Sequence, residues 1–286
     1  MSPLTRIAVF AARPILALIL SLFILQQAWA VDQWQAVQPG LWLHTFHPTR
    51  TPDTEDDRLH IAVLKIDPGF FSFHLLTASE NDETNKTLPE WMQAYDLVAA
   101  INASMFWKDQ RTSTGFMKNY SHVNNNSIHP KYEGFVVFNP IHPSLPEIQI
   151  LDKEHHPHWK QTLQHYHSAV QSFRMISSKG ENVWEQNSKR FSVACVGLDA
   201  QGKVLFIFCQ TPTTIHDLNN VLLRLPLNIE SCMFLEGGPT AGLRLNSGNF
   251  QKSWKGTSET FLGTDVLSRF VQLPNVIGIS THKDAP

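Results

Sequence analysis

The sequence predicts an α+β fold, a single domain with a mixed, strand-rich sheet and a few helices. Three observations support this prediction. Many short apolar runs are separated by turn residues, which is typical of strands. Two segments carry helix-start signals, and one pair of apolar runs flanks a short turn. The chain has 286 residues, which is long enough to bury a substantial core.

The first half of the chain predicts four strands, at residues 40–46, 59–66, 70–76 and 97–101. A short helix is expected over residues 88–96, because Thr87 can cap it and Glu90 follows three positions later. The fourth strand ends in Asn102. Residues 107–134 are polar and predict a long loop, which in a compact domain is often functional.

The second half predicts strands at residues 135–138, 169–176, 190–198 and 203–209. The last two form a hairpin around the turn at residues 199–202. A helix is expected to start near Thr211, with Pro212 in its first turn, and to end before Pro226. The next strand runs from residue 229 to the acid Glu236.

Residues 1–30 have the layout of a secretory signal peptide. Arg6 and Arg13 are their only charges, residues 14–25 are apolar, and Ala28-Trp-Ala30 fits a small-residue cleavage site. The apolar run is shorter than the about 20 residues that span a bilayer, although an uncleaved anchor is an alternative. We predict cleavage after Ala30, a periplasmic or secreted protein, and no stable membrane span afterwards.

The predicted mature chain consists of a lead-in strand and loop at residues 31–58 and a main domain at residues 59–286. Loss of two arginines leaves 23 − 2 = 21 basic residues against 25 acidic residues. The net charge is then −4 with histidine neutral. No basic stripe is visible, so nucleic acid is not an expected partner. The oligomeric state is left open.

Three cysteines, Cys195, Cys209 and Cys232, lie in apolar runs. An odd number in an exported protein leaves at least one thiol free. In the simplest register of the hairpin, Cys195 faces Phe206 and Cys209 points to the other face. This register disfavours a Cys195–Cys209 disulfide, and we interpret all three as core residues.

Residues 140–168 contain six histidines and four prolines. A histidine cluster in an exported protein could bind metal. However, no histidine pair combines helical i, i+4 spacing with a nearby acid, and Pro157 breaks a helix beside His155 and His156. We expect a solvated surface here, with no metal site and no cofactor.

Glu236 and the glycines after it form the stretch that is best suited to catalysis or ligand binding. A carboxylate is costly to bury without a partner, and Gly237 and Gly238 carry no side chain to cover it. The alternative is an ordinary solvated turn. Both Asn102 and Glu236 end strands that follow helices. If those strands are parallel in one sheet, the two side chains converge at one edge.

Several motifs occur in the order found in the phosphodiester glycosidase family, which this chain resembles over roughly residues 60–270. They are Asn-Ala-Ser-Met-Phe at 102–106, Gly-Phe-Met at 115–117, Gln-Ser-Phe-Arg-Met-Ile-Ser at 171–177 with Gly180, Arg190 with Val-Gly-Leu-Asp at 196–199, and Phe-Leu-Glu-Gly-Gly-Pro at 234–239. Two positions depart from the family pattern. Ser104 replaces a glycine, and Glu236 replaces an aspartate.

The resemblance implies hydrolysis of a sugar-1-phosphodiester with release of the sugar. Such cleavage develops positive charge on the sugar ring. A carboxylate can stabilise that charge, activate water or act as the nucleophile. Arginine suits phosphate oxygens. The candidates are Glu236, Asn102 and Arg190 for catalysis, with Arg190, Asn102, Gly237, Gly238 and Ser104 for substrate binding.

Each candidate also has a structural interpretation. Arg190 can be a surface charge at a strand start and Asn102 a turn cap. Asp199 is expected to serve the hairpin turn, whereas Asp109 and Glu133 are possible second carboxylates. A non-catalytic envelope protein that binds a glycan or sugar phosphate is the main alternative function. A metal-dependent phosphodiesterase that cuts the P–O bond is the other.

Overall fold

Short apolar runs separated by turn residues form three β-sheets, with three short α-helices among the described residues. This computed structural model describes residues 34–50, 58–258 and 270–282. The chain divides into two units, Met1–Gln35 and Ala36–Pro286, and all strand residues except Gln35 belong to the second. The predicted signal peptide and cleavage site lie outside the described residues.

The first sheet has seven strands in the order β1-β2-β3-β13-β12-β14-β11. Their bounds are β1 Gln35–Gln38, β2 Leu41–Phe46, β3 Ile61–Ile66, β13 Val204–Thr213, β12 Phe191–Asp199, β14 Ile229–Gly237 and β11 Arg174–Ile176. The inner strand β12 pairs with β13 on one side and β14 on the other, and most of its residues are buried.

The other two sheets have five strands each, in the orders β7-β6-β10-β8-β9 and β16-β15-β5-β17-β4. The bounds in the first are β7 His122–Asn125, β6 Met117–Asn119, β10 Tyr166–Ser172, β8 Gly134–Pro140 and β9 Ile148–Asp152. Those in the second are β16 Phe250–Lys255, β15 Gly242–Ser247, β5 Ala99–Asn102, β17 Asn275–Thr281 and β4 Phe71–Thr77.

All three sheets contribute to one main hydrophobic core. The seven-stranded sheet contributes Phe206 and Leu235, the β5 sheet contributes Ile101 and Ile277, and the β8 sheet contributes Val136. These side chains are all less than 1% exposed. Because the members of this core occupy alternate positions along each strand, one face of each sheet supplies it.

The three helices are α1 Leu88–Ala94, α2 Trp159–Gln164 and α3 Ile215–Leu222. The predicted capping box of α1 is confirmed, with Thr87 and Glu90 bonded reciprocally. The predicted start of α3 at Thr211 is wrong, because β13 continues to Thr213 and Thr214 is the N-cap. None of the helices in the described residues is long and apolar enough to cross a membrane.

The prediction of a strand-rich fold with few helices is confirmed, but that of a mixed sheet is wrong. Every pairing among β2 to β17 is antiparallel. Short connections between consecutive strands favour this arrangement, whereas parallel pairs require long crossovers. Asn102 and Glu236 also end strands of different sheets, so the predicted parallel pairing of those strands is wrong.

Two polar regions contain more regular structure than their composition indicates. The predicted loop at 107–134 includes the paired strands β6 and β7, and residues 140–168 include β9 and α2. These elements are only three to six residues long. Segments this short give too few repeats for a reliable periodic pattern.

The predicted β12–β13 hairpin is present, with a register that differs by one residue. Cys195 faces Ile207 and not Phe206, while Cys209 faces Val193. The turn has three central residues, and Gly202 adopts a φ of +74° there, as three-residue hairpin loops require. All three cysteines are nevertheless buried, as predicted, and all three are free.

Candidate active site

Glu236 lies in β14 at a local irregularity of the strand. It faces Ala194 of β12, whereas the next pair joins Phe234 to Cys195, so that Leu235 is an extra residue. This is a β-bulge, which re-aims side chains. Ala194 and Leu235 both belong to the main core. Glu236 is therefore a carboxyl group turned towards the interior, and it is 8% exposed.

Burial raises the pKa of Glu236 to about 7, although the hydrogen bond from the Gly237 N–H and the proximity of the Thr240 hydroxyl act in the opposite direction. The Gly237 nitrogen lies 2.9 Å from Oε1 of Glu236. Desolvation outweighs these contacts because the ionised form loses its water and gains no cationic partner among them. A carboxyl with a pKa near 7 can accept or release a proton at neutral pH.

The two glycines after Glu236 have different local roles. A Cβ on Gly237 would lie 2.6 Å from the ring of Phe191, so this residue lacks a side chain for packing reasons. Gly238 has a φ of +72°, and a Cβ there would meet nothing within 4 Å. Gly238 begins the 3₁₀ turn Gly238–Thr240. Gly238 itself is buried, and its positive φ is the feature that glycine adopts without strain at this position.

Asn102 holds the turn that follows Glu236. Its amide donates to the carbonyl of Thr240 at 3.0 Å, and its oxygen accepts from the Gly242 N–H at 2.7 Å. The side chain is 1% exposed. Asn102 and the Glu236 turn thus do meet as predicted. They do so through hydrogen bonds between two sheets and not through neighbouring parallel strands. With both ends of its amide engaged, Asn102 is placed to position the turn.

Ser104 lies in a buried polar network behind Asn102. Its hydroxyl is 2.8 Å from that of Ser113 and 3.0 Å from the carbonyl of Met105, and its N–H donates to Asn275. Ser113 in turn accepts from the Gly115 N–H. Ser104 is 1% exposed. The geometry favours a structural role for its hydroxyl over the predicted direct contact with substrate.

Arg190 directly precedes β12 and is half-buried. Its neighbour Phe191 packs against Phe234, with ring centroids 6.4 Å apart, and lies beneath Gly237. Val193, three residues after Arg190, pairs with Gly237. The backbone therefore places Arg190 at the end of the sheet where Glu236 lies.

The other acids considered from the sequence have clear partners. Asp109 accepts from the N–H groups of Arg111 and Thr112 in a local turn. Glu133 pairs with Lys153 at 3.3 Å. Asp199 bonds to the N–H groups of its own turn, as predicted. The structure does not bring Asp109, Glu133 or Asp199 into contact with Glu236.

The sequence analysis missed two features. Thr240, in the turn after Glu236, lies close enough to influence that carboxyl and donates to the carbonyl of Gly237 at 3.2 Å. Asp152 ends β9 and accepts from Arg174 at 2.5 Å and His155 at 2.9 Å. Thr240 was within reach of sequence reasoning because it continues the glycine-rich motif. Asp152 and Arg174 are 22 positions apart without a linking pattern.

The histidine-rich region does not converge on one point. His155 bonds to Asp152, His142 to Ser144, and the ring of His167 stacks on Tyr120. Across residues 34–50, 58–258 and 270–282, no three His, Cys, Asp or Glu side chains are grouped so that they could hold a metal ion.

This chain belongs to the phosphodiester glycosidase family, whose pattern it matches over residues 95–279. That match includes the motifs of Asn102, Arg190 and Glu236. A comparison with curated protein sequences gives no match. The family identification thus places the buried Glu236 and its glycine turn within a known group of hydrolase domains.

Two solved structures show the fold. One is the zebrafish N-acetylglucosamine-1-phosphodiester alpha-N-acetylglucosaminidase catalytic domain, auto-inhibited by its pro-peptide. It is 11% identical, with a TM-score of 0.62 over 87% of this chain and 88% of that chain. The other is a hypothetical protein from Synechocystis, 10% identical, with a TM-score of 0.57 over 88% and 64%. At these identities the likeness concerns the fold alone.

Proposed function

We propose that this protein is an exported glycosidase that hydrolyses a sugar-1-phosphodiester and releases the sugar. Glu236 would be the acidic catalytic group and Arg190 would hold the phosphate. The observation that carries this proposal is the buried Glu236 carboxyl, with its pKa raised to about 7, followed by a glycine turn, at the position of the family's acid.

The reaction breaks the bond between the anomeric carbon and a phosphate oxygen. A water oxygen forms the new bond to that carbon, and the products are free sugar and a phosphate monoester. Glu236 in its ionised form would accept the proton of the attacking water. The monoester leaves as an anion, which a guanidinium stabilises. Phosphate is a good leaving group, so a single carboxylate can suffice.

Asn102 supports this chemistry as a positioning residue. Its amide bridges the Thr240 carbonyl and the Gly242 N–H, and the turn so held follows the catalytic carboxyl directly. Displacement of a reacting group by about 1 Å can cost on the order of 100-fold in rate. The one-methylene difference between Glu236 and the family's aspartate makes this positioning important.

A non-catalytic protein that binds a glycan or sugar phosphate is the second candidate. The observation that favours it is the pair of departures from the family pattern, Ser104 for glycine and Glu236 for aspartate. The buried Ser104–Ser113 hydrogen bond shows how the added hydroxyl is accommodated.

Product analysis separates these candidates. The protein and its Glu236→Gln variant are incubated with N-acetylglucosamine-1-phosphodiesters and other sugar-1-phosphodiesters, with and without chelator. We expect chelator-resistant release of free sugar, which the variant loses. Sugar-1-phosphate as a product that disappears with chelator would instead indicate a metal phosphodiesterase. Binding without any product would favour the non-catalytic candidate.

A further inference from the structure

A cavity of about 550 Å³ lies where the edge strand β11 meets the segment before β8. Its volume is within the range of small-molecule binding sites. Glu236 is not among its lining residues, which are Lys131, Glu133, Phe173, Arg174, Val183, Trp184, Glu185, Gln186 and Asn187.

Aromatic rings form one wall of this junction cavity. The rings of Phe173 and Trp184 are 5.3 Å apart, and Trp184 packs against Phe234 at 5.9 Å. Phe234 faces Cys195, whereas Glu236 faces Ala194. Neighbouring residues of β12 point to opposite faces of the sheet. The aromatic wall and the Glu236 carboxyl therefore lie on different faces of the seven-stranded sheet.

The segment that carries Trp184 is fixed to helix α3. Asn182 donates to the carbonyl of His216 at 3.0 Å and to the side chain of Asn220 at 2.8 Å. Its own side-chain oxygen accepts from Asn219 and from the backbone N–H of Trp184. A wall held in place before binding reduces the entropy lost when a ligand is bound.

The charges around the cavity are of both signs. Arg174 is neutralised by Asp152 and Glu154. Within the part of the chain that the structure describes, the Lys131 ammonium and the Glu185 carboxylate have no ion-pair or hydrogen-bond partner. One of these free groups donates hydrogen bonds and the other accepts them. A ligand that does both, without net charge, fits this lining.

We propose that the junction cavity binds an uncharged oligosaccharide segment, with Trp184 as the stacking platform. Sugar rings offer an apolar C–H face for aromatic side chains and hydroxyl groups that both donate and accept hydrogen bonds. A polyanion would meet Glu185 and Glu133, and a purely apolar ligand would leave Lys131 and Glu185 desolvated. Binding at this cavity does not require the reaction proposed for Glu236.

Calorimetric titration of the purified protein with cellotriose, maltotriose and chitotriose tests this assignment, with inorganic phosphate as the anionic probe. We expect at least one trisaccharide to bind. Trp184→Ala should weaken that binding at least tenfold. The matched control is Trp107→Ala, because Trp107 is 54% exposed and lies outside the cavity lining. It should bind as the unmodified protein does.

Two further variants keep the result interpretable if Trp184→Ala does not fold. Glu185→Gln and Lys131→Met each remove one free charge and should weaken trisaccharide binding several-fold. Glu236→Gln should leave binding unchanged, so loss of the proposed reaction and loss of this site are distinguishable. Absence of binding by all three trisaccharides, binding unaffected by Trp184→Ala, or binding of phosphate alone would overturn the assignment.

Discussion

Two buried carboxyl groups of this protein have opposite electrostatic surroundings. Glu236 is desolvated, with the Gly237 N–H and the Thr240 hydroxyl acting against the effect of burial, and its pKa is raised to about 7. Burial also acts to raise the pKa of Asp152, but hydrogen bonds from His155 and the Ser178 N–H, together with Arg174, bring it down to about 2. Burial alone therefore does not decide the charge of a carboxyl group. Its partners do.

The two sites are suited to different tasks. Asp152 stays ionised at any physiological pH and ties β9 to β11 through Arg174. Glu236 exchanges its proton near neutral pH, which a structural ion pair does not require but acid–base catalysis does. This contrast is the physical basis for placing the chemistry at Glu236.

The largest expected effect is on activity. Glu236→Gln keeps an oxygen that can accept from Gly237 but cannot take a proton from water. We expect kcat to fall by about 10²- to 10⁴-fold, measured by release of free sugar. The control is Glu230→Gln, an exposed carboxyl on the same strand, which should retain activity. Equal activity in both variants would remove Glu236 from the catalytic role.

The second-largest expected effect is on the stability of the protein, and it concerns Asp152. Asp152→Asn removes the charge that pairs with Arg174 and should lower the free energy of unfolding by about 3–5 kcal/mol, measured by urea denaturation at pH 7. Glu154→Gln, at the exposed partner of the same arginine, should change it little. In the unmodified protein, the stability due to Asp152 is present above its unfolded pKa and is lost as the pH falls through about 2.

The raised pKa of Glu236 predicts the opposite pH dependence, in which the free energy of unfolding falls as the pH rises. Its folded pKa lies above the ordinary value of 4.5, so the stability due to the protonated carboxyl is fully present below 4.5, is lost as the pH rises from there through about 7, and changes no further above that. Glu236→Gln should therefore be more stable than the unmodified protein at pH 8, by on the order of 3 kcal/mol. The difference should vanish near pH 4. A constant difference across this range would contradict the raised pKa.

A smaller effect is expected at Asn102. Asn102→Asp retains the acceptor for the Gly242 N–H but replaces the donor to the Thr240 carbonyl with an oxygen. The loss should cost about 1–3 kcal/mol of stability. If Asn102 positions the turn, kcat should fall while KM changes little. A rise in KM alone would indicate that Asn102 contacts the substrate directly.

The strongly periodic segments were predictable from the sequence, and the relations between sheets were not. The capping box at Thr87 and the strand to Glu236 follow from local patterns. Asn102 does meet the Glu236 turn, as predicted, but through a contact between two sheets. The parallel pairing from which that contact was predicted does not occur. The Asp152–Arg174 pair joins distant strands, and no local signal specifies such pairs.

The register of the hairpin shows the same limit on a smaller scale. A turn at residues 199–202 was correctly placed, but the left-handed conformation of Gly202 adds one residue to the loop. A one-residue shift changes which side chains share a face. Cys195 and Cys209 consequently lie on the same face of the hairpin, contrary to the prediction.

The most direct test of the role of Glu236 combines two pH titrations. The first follows the Glu236 carboxyl by ¹³C NMR, assigned by comparison with Glu236→Gln, and the second follows kcat/KM for free-sugar release. We predict the same midpoint near pH 7 in both, with activity rising as the carboxyl ionises. A carboxyl midpoint near 4.5, or activity that falls as Glu236 ionises, would contradict its role as the catalytic base.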